Sequence, residues 1–180
     1  MRLRVGAIKG KNMFKYLKTT LLLLPLLFLQ QSCGVYTLNG SLIPENMKTF
    51  NVQFFENSAP IVVPNLSQQF TESLRERIRN QSRLSQTDGD ADAIFEGRIT
   101  GYSIAPAAVG GANDRAQANR LSITVSVKYV DAIEPDNSFE QTFTRYQDFT
   151  GVVQTVEQQL IQDINRMLTE DIFNRAFANW

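Results

Sequence analysis

The chain has 180 residues, with 18 basic and 18 acidic side chains, no histidine and one cysteine. Its hydrophobic content of 43% is near that of globular proteins, which excludes a wholly disordered chain and fits one ordinary domain. Histidine is the commonest general base and the commonest metal ligand. Its absence therefore disfavours an enzyme, and we expect neither a cofactor nor a metal site.

The charges are unevenly distributed along the chain. Residues 1–32 contain six basic side chains and no acidic one: Arg2, Arg4, Lys9, Lys11, Lys15 and Lys18. The remainder has 12 basic and 18 acidic side chains, a net charge of −6. A body this acidic disfavours a nucleic-acid partner, because phosphate binding needs a basic surface.

The N-terminal region has the pattern of a secretory signal peptide. A nine-residue apolar run, 21–29, follows two lysines and ends before a small residue, Ser32. This run is too short to span a bilayer, which needs about 20 helical residues. We therefore expect residues 1–32 to be a signal peptide that is removed, with Met13 as an alternative start that gives a 20-residue signal.

The single cysteine, Cys33, directly follows Ser32 in a pattern that resembles the lipobox of bacterial lipoproteins. Gln30 stands where that motif usually has leucine. The resemblance implies that Cys33 is the acylated mature N-terminus and anchors the protein in a membrane. No aspartate follows in 34–36, which implies the outer membrane, on its periplasmic face. The alternative is a secreted protein with a free or intermolecularly paired thiol.

The first half of the mature chain predicts a strand followed by a helix. Phe50, Val52 and Phe54 alternate with polar residues, which indicates a strand over 48–56. Apolar residues spaced by four then predict a helix over 65–82, with Asn65 and Gln68 as its capping residues.

The second half predicts three antiparallel strands and a long helix. The strands cover 94–104, 121–129 and 138–149, and the helix runs from 153 to about 177. Gly97 and Gly101 in the first of these strands indicate close packing or a bulge.

The predicted fold class is α+β, with a four-stranded, mainly antiparallel sheet and two helices packed on one face. Residues 33–180 then form a single periplasmic domain. The other face of the sheet is left open, and a simply solvated face is an equal alternative to a binding one. The long segment 105–116 is predicted to be mobile or to bind a ligand. The open-face candidates are Ser122, Thr124, Ser126, Lys128, Thr142 and Thr144.

Several motifs together resemble the LptE family of lipopolysaccharide (LPS) assembly lipoproteins. They are Cys33-Gly-Val-Tyr36 with Asn39-Gly40, Leu66-Ser-Gln68, Phe95-Glu-Gly97-x-Ile99-x-Gly101-Tyr102, Asn119-Arg120-Leu121, and the C-terminal stretch from Asp171-Ile-Phe-Asn174 to Trp180. The resemblance implies a non-catalytic outer-membrane lipoprotein with two helices on a four-stranded sheet. It also implies two partners, an LptD-type β-barrel whose lumen the domain occupies, and LPS.

The nearest candidates for contacts with lipid A phosphates are three basic residues on the predicted strands. These are Arg120, Lys128 and Arg145, which we expect on the open sheet face. The alternative is that each is a surface charge that keeps its strand soluble.

Two other functions are less well supported by the sequence. Asp88, Asp90 and Asp92 have the spacing of a calcium loop, but Ala93 and Ile99 occupy positions that need Gly and Glu, so a solvated turn is favoured. A freestanding periplasmic scaffold or ligand-binding lipoprotein of another family would share the anchor and fold class but would purify without a barrel.

Overall fold

The computed structural model describes residues 43–107 and 118–178. The predicted signal peptide, Cys33, most of the segment 105–116 and Trp180 lie outside the described residues. The strands are β1 (Thr49–Val52), β2 (Glu56–Asn57), β3 (Ser85–Gln86), β4 (Ala93–Pro106), β5 (Asn119–Asp131) and β6 (Phe139–Phe149). The helices are α1 (Leu66–Gln81) and α2 (Val153–Phe177), with a 3₁₀ helix at Pro135–Asn137.

The sheet has six strands and mixed direction, which corrects the expected four-stranded, mainly antiparallel sheet. Its order is β3-β1-β4-β5-β6, and β2 also pairs with β4. The predicted antiparallel order of β4, β5 and β6 is correct, but β1 and β2 both run parallel to β4. The connection through α1 is a crossover, and a crossover returns the chain parallel to the strand it left.

The predicted first strand is interrupted at residues 53–55, and two side chains of α1 form hydrogen bonds with the backbone there. The Arg75 guanidinium donates to the carbonyl oxygen of Val52 at 2.9 Å, and the Thr71 hydroxyl accepts from the backbone N–H of Phe55 at 3.1 Å. Phe55 is buried and Phe54 is 56% exposed. The sequence-based alternation, which grouped Phe54 with Phe50, was therefore wrong at this position.

Both helices pack on one face of the sheet, as predicted. The Phe177 ring of α2 lies 5.9 Å from the rings of Phe95 and Tyr129, and the Phe70 ring of α1 lies 5.0 Å from Phe55. The helix bounds agree with prediction to within one residue at all four ends. No described helix is sufficiently long and apolar to cross a membrane.

The N-terminus of α1 differs from the predicted capping arrangement. Asn65 has φ of 64°, in the left-handed region, and its side chain makes no capping hydrogen bond. Its carbonyl oxygen instead accepts the backbone N–H of Gln69 at 2.9 Å. Asparagine tolerates this backbone conformation better than most residues, so its conformational preference and not its side-chain acceptor explains its place here.

The two glycines of β4 confirm the expected close packing and bulge. The register of β4 against β5 shifts between Ile99 and Gly101. A Cβ atom at Gly97 would collide with the carbonyl oxygen of Ser126 and would lie 2.7 Å from the Phe55 ring. Gly97 therefore allows Phe55 to pack directly against the backbone of β4.

Candidate ligand-binding face of the sheet

The face of the sheet opposite the helices has a floor of small hydroxyl side chains. Alternate residues of β5 point away from the core, and Thr124 meets Thr144 of β6 with their hydroxyl oxygens 3.0 Å apart. Ser126 lies between Arg98 of β4 and Thr142 of β6. All six residues predicted for the open face therefore lie on it.

Arg120 lies on this face near the start of β5 and is bound to Asp148 of β6. Two guanidinium nitrogens donate to the two carboxylate oxygens of Asp148 at 2.7 and 3.0 Å. The guanidinium also lies 3.7 Å from the centre of the Tyr146 ring. The hydrogen bonds raise the pKa of Arg120 and lower that of Asp148. This arginine is ordered by its own partners.

Lys128 lies toward the other end of the same face. Its Nζ is 2.5 Å from Oε1 of Glu96, and this hydrogen bond raises the pKa of the lysine. Lys128 and Glu96 line a shallow cavity of about 430 Å³, and the exposed Phe54 also lines it. The cavity exists on this face because the interruption before β2 turns Phe54 outward.

Arg145 lies on the opposite face, so its expected place on the open face was wrong. It pairs with Ile123 in the β5–β6 register, and Ile123 is fully buried. Its guanidinium binds Asp171 of α2 through two hydrogen bonds, at 2.6 and 2.7 Å. These bonds raise the pKa of Arg145. The parity of β6 explains the error, since Arg145 is two residues from the core residue Phe143.

The open face also contains carboxylates that were not predicted from the sequence. Three basic side chains lie there together with four acidic ones, so the face has no excess of positive charge. They are Arg98, Arg120 and Lys128, against Glu56, Glu96, Glu140 and Asp148. Glu96 and Arg98 alternate with the buried residue Phe95 in the part of β4 that precedes the bulge. This alternation was the signal in the sequence that could have placed both on the open face. Arg98 has no ion pair within the part of the chain that the structure describes.

Among the aspartates at 88, 90 and 92, Asp92 makes a structural contact, and the three do not form a shared metal site. Asp92 accepts hydrogen bonds from the backbone N–H groups of Lys48 and Thr49, at 2.7 and 3.0 Å. Across residues 43–107 and 118–178, no three His, Cys, Asp or Glu side chains are grouped so that they could hold a metal ion.

The fold and this face define the class of the protein, a small α+β domain that presents one polar sheet face. The family model for LptE, described as lipopolysaccharide-assembly, matches residues 47–176, which is more than half of the chain. The chain therefore belongs to the LptE family. This family consists of lipoproteins of LPS assembly and not of enzymes.

Of three similar solved structures, one reaches a TM-score of 0.50 and supports the fold, at low sequence identity. A hypothetical protein of Chlamydia trachomatis has 12% identity and a TM-score of 0.50, with coverage of 74% of this chain and 99% of the other. A minor lipoprotein of Acinetobacter baumannii has 17% identity and a TM-score of 0.46, covering 72% and 91%. Rare lipoprotein B of Shewanella oneidensis has 14% identity and a TM-score of 0.42, covering 69% and 91%. No curated protein sequence matches the chain significantly.

Proposed function

We propose that the protein is the lipoprotein subunit of an outer-membrane LPS translocon. In this function it acts as plug and assembly partner of an LptD-type β-barrel and contacts LPS during delivery to the cell surface. The observation that carries the proposal is the family match over residues 47–176. A large barrel has a polar lumen that must be filled, and a compact domain with a polar sheet face suits that environment.

The anchor in this proposal is Cys33, acylated after removal of residues 1–32. Each buried acyl CH₂ contributes about 0.8 kcal/mol to membrane affinity, so two or three chains hold a protein firmly. The anchor holds the domain on the periplasmic face of the outer membrane, where the barrel opens.

For the LPS contact we propose the open sheet face, with Arg120 and Lys128 as the cations that meet phosphate. Both are already bound to carboxylates, so phosphate binding requires an exchange of partners. Their exposed positions favour that exchange, because solvent screens the ion pairs of surface side chains. Arg145, the third sequence candidate, lies on the helix side and supplies a control.

This contact is tested by binding of purified LPS to the full-length chain in detergent. We expect the double variant Arg120→Gln and Lys128→Gln to bind about tenfold more weakly, with a reduced dependence on salt. Arg145→Gln removes one positive charge from the other face and should leave the affinity unchanged. Equal loss in both variants, or no loss in either, would exclude the open-face contact.

The partner is tested by affinity purification from outer membranes in mild detergent, with mass spectrometry of the co-eluting proteins. We expect a roughly equimolar large β-barrel. Depletion of the protein should also lower the yield of assembled barrel and retain LPS in the periplasm. Reproducible absence of a barrel would favour the alternative, a freestanding periplasmic scaffold or ligand-binding lipoprotein.

A further inference from the structure

The starts of the two helices lie together at one end of the domain. The side-chain amide of Gln158 in α2 donates to the Gln69 side chain in α1 at 3.0 Å, so the first turns of the helices are neighbours. The later part of β4 reaches the same end, because the Tyr102 hydroxyl donates to a carboxylate oxygen of Glu157 in α2.

Four exposed apolar side chains lie at this end. The backbone N–H of Ser58, directly after β2, donates to the carbonyl oxygen of Ile99 at 2.9 Å, so the chain beyond it continues alongside β4 toward the helix starts. Two of the four follow in this loop, one precedes α2, and one lies two residues beyond Tyr102. They are Ile61, Val62, Val152 and Ile104, between 41% and 69% exposed. Residues 43–107 and 118–178 contain six large exposed apolar side chains, so most of them lie at this one end, which we call the apolar end.

The apolar end is also nearly free of charge. Three stretches of the chain meet there, 57–71, 99–106 and 149–156, and none contains Asp, Glu, Lys or Arg. Of the charged side chains that adjoin them, Glu157 accepts the Tyr102 hydroxyl, and Arg120 and Asp148 bind one another on the open sheet face. An exposed apolar surface without charges leaves water at little electrostatic cost, and such surfaces are typical of contact sites.

The opposite end of the domain is acidic. There the turn after β5 lies beside the loop before β4, because the Ala132 N–H donates to the Asp92 carbonyl oxygen at 2.9 Å. The first described residues lie at this end too, since Arg83, just after α1, donates to the carbonyl oxygens of Ile43 and Pro44 at 3.1 and 2.8 Å. Exposed acids outnumber exposed bases here, with Glu45, Asp88, Asp90, Glu134 and Asp136 against Lys48 and Arg83.

The proposed lipid anchor can bring either end to the membrane. Ile43 is ten residues after Cys33, and an extended chain spans at most about 3.3–3.6 Å per residue, so the reach is about 35 Å. The 16 residues of α1, which separate the two ends, extend about 24 Å. The length of the anchor therefore does not select an end, and the composition of the two ends does.

We propose that, in the anchored chain without its barrel, the apolar end lies on the surface of the lipid bilayer and the acidic end faces away from it. Aliphatic side chains enter the boundary between headgroups and acyl chains, while anionic lipids repel an acidic surface. The inference goes beyond the proposed function and rests on it only for the anchor at Cys33.

The test places a single tryptophan on the full-length chain, reconstituted into vesicles of phosphatidylethanolamine and phosphatidylglycerol. Trp180→Phe removes the one native tryptophan. Val62→Trp and Val152→Trp then report on the apolar end, and Phe54→Trp is the matched control on the open sheet face, at a similarly exposed position. Lipids with a nitroxide near the headgroup quench a tryptophan that touches them, and we expect about twofold or greater loss of fluorescence at positions 62 and 152 and little at 54.

Equal quenching at all three positions, or none at 62 and 152, would overturn the proposal. Adding Ile61→Ser to the Val62→Trp chain should reduce the quenching, because the neighbouring aliphatic side chain shares the contact. Aqueous iodide identifies the alternative cover. A position 62 that is shielded from iodide but not quenched by the nitroxide lipid would be covered by protein, either a second copy or another segment of the chain, which would also overturn the proposal. Neither LPS nor the barrel is present, so a negative result leaves the translocon proposal to its own co-purification test.

Discussion

Asp92 shows how one carboxylate joins the first strand to the start of β4. A single oxygen accepts hydrogen bonds from the Lys48 N–H, the Thr49 N–H and the Thr49 hydroxyl. The Thr49 hydroxyl oxygen also accepts from the Asp92 N–H at 3.0 Å. The N–H of Lys48 contributes most to lowering the pKa of Asp92 below its ordinary 3.8, followed by that of Thr49.

The lowered pKa of Asp92 predicts how the contribution of this residue to the free energy of unfolding depends on pH. The folded-state pKa is depressed, so the stabilisation is complete above the ordinary pKa and is lost as the pH falls below about 4. We expect Asp92→Asn to lower the melting temperature at pH 7, and the difference from the unmodified chain to narrow in acid. Asp88→Asn changes an exposed aspartate outside this network and should have little effect. A difference that is constant with pH would contradict the interpretation.

Gly97 is a second residue at which the structure makes a quantitative prediction. Gly97→Ala places a Cβ against the Ser126 carbonyl and the Phe55 ring, and overpacking of this kind costs about 1–3 kcal/mol. Gly89→Ala is the control, since nothing lies within 4 Å of its Cβ position. Urea denaturation of both variants measures the difference. Equal stability of the two would show that β4 shifts freely to accept the methyl group.

At the scale of elements, α1 determines the path of the first strands. Arg75 binds the backbone at Val52, just before the interruption, and Thr71 binds it at Phe55, the last residue of the interruption. The interruption separates β1 from β2 and turns Phe54 to the open face. The cavity beside Lys128 is therefore a consequence of contacts made by a helix on the other side of the sheet.

Thr71→Val tests this coupling. Valine has nearly the same shape but leaves the buried N–H of Phe55 without an acceptor, at a cost of about 1–3 kcal/mol. We expect faster hydrogen exchange at the Phe55 amide and a lower melting temperature. Thr142→Val, on the exposed sheet face, should change neither. Unaltered exchange at Phe55 in Thr71→Val would show that the interruption does not depend on α1.

At the scale of the whole molecule, the proposed anchor makes the simplest prediction. Cys33→Ser removes the thiol that would carry the acyl chains, so we expect an unprocessed or poorly sorted precursor. Labelled palmitate and mass spectrometry of the N-terminus measure this. Incorporation of palmitate by the variant, or a different N-terminus in the unmodified protein, would exclude Cys33 as the anchor.

The elements that the sequence predicted best are those with long, regular patterns. β5 alternates without a break, and α2 keeps its apolar spacing along its 25 residues, so local periodicity was sufficient. The parallel pairing of β1 and the two-residue strand β3 depend on contacts distant in sequence, and no local pattern records them. Arg145 was misplaced for a different reason. Side chains two residues apart in a strand lie on the same face, so Arg145 shares the face of the core residue Phe143, and the prediction did not apply this alternation to Arg145.

The edges of the described sheet also affect how the protein behaves toward its own copies. β6 is an outer strand of 11 residues, and a long unpaired strand invites edge-to-edge aggregation. Beside that strand, the pair of Arg145 with Asp171 is partly exposed, so a second copy added there would have to dehydrate two charges. The other edge is blunted by the short β3 and by Pro106, which lacks an N–H donor. In the described part of the chain, these features disfavour edge-to-edge pairing of two copies while one sheet face stays open.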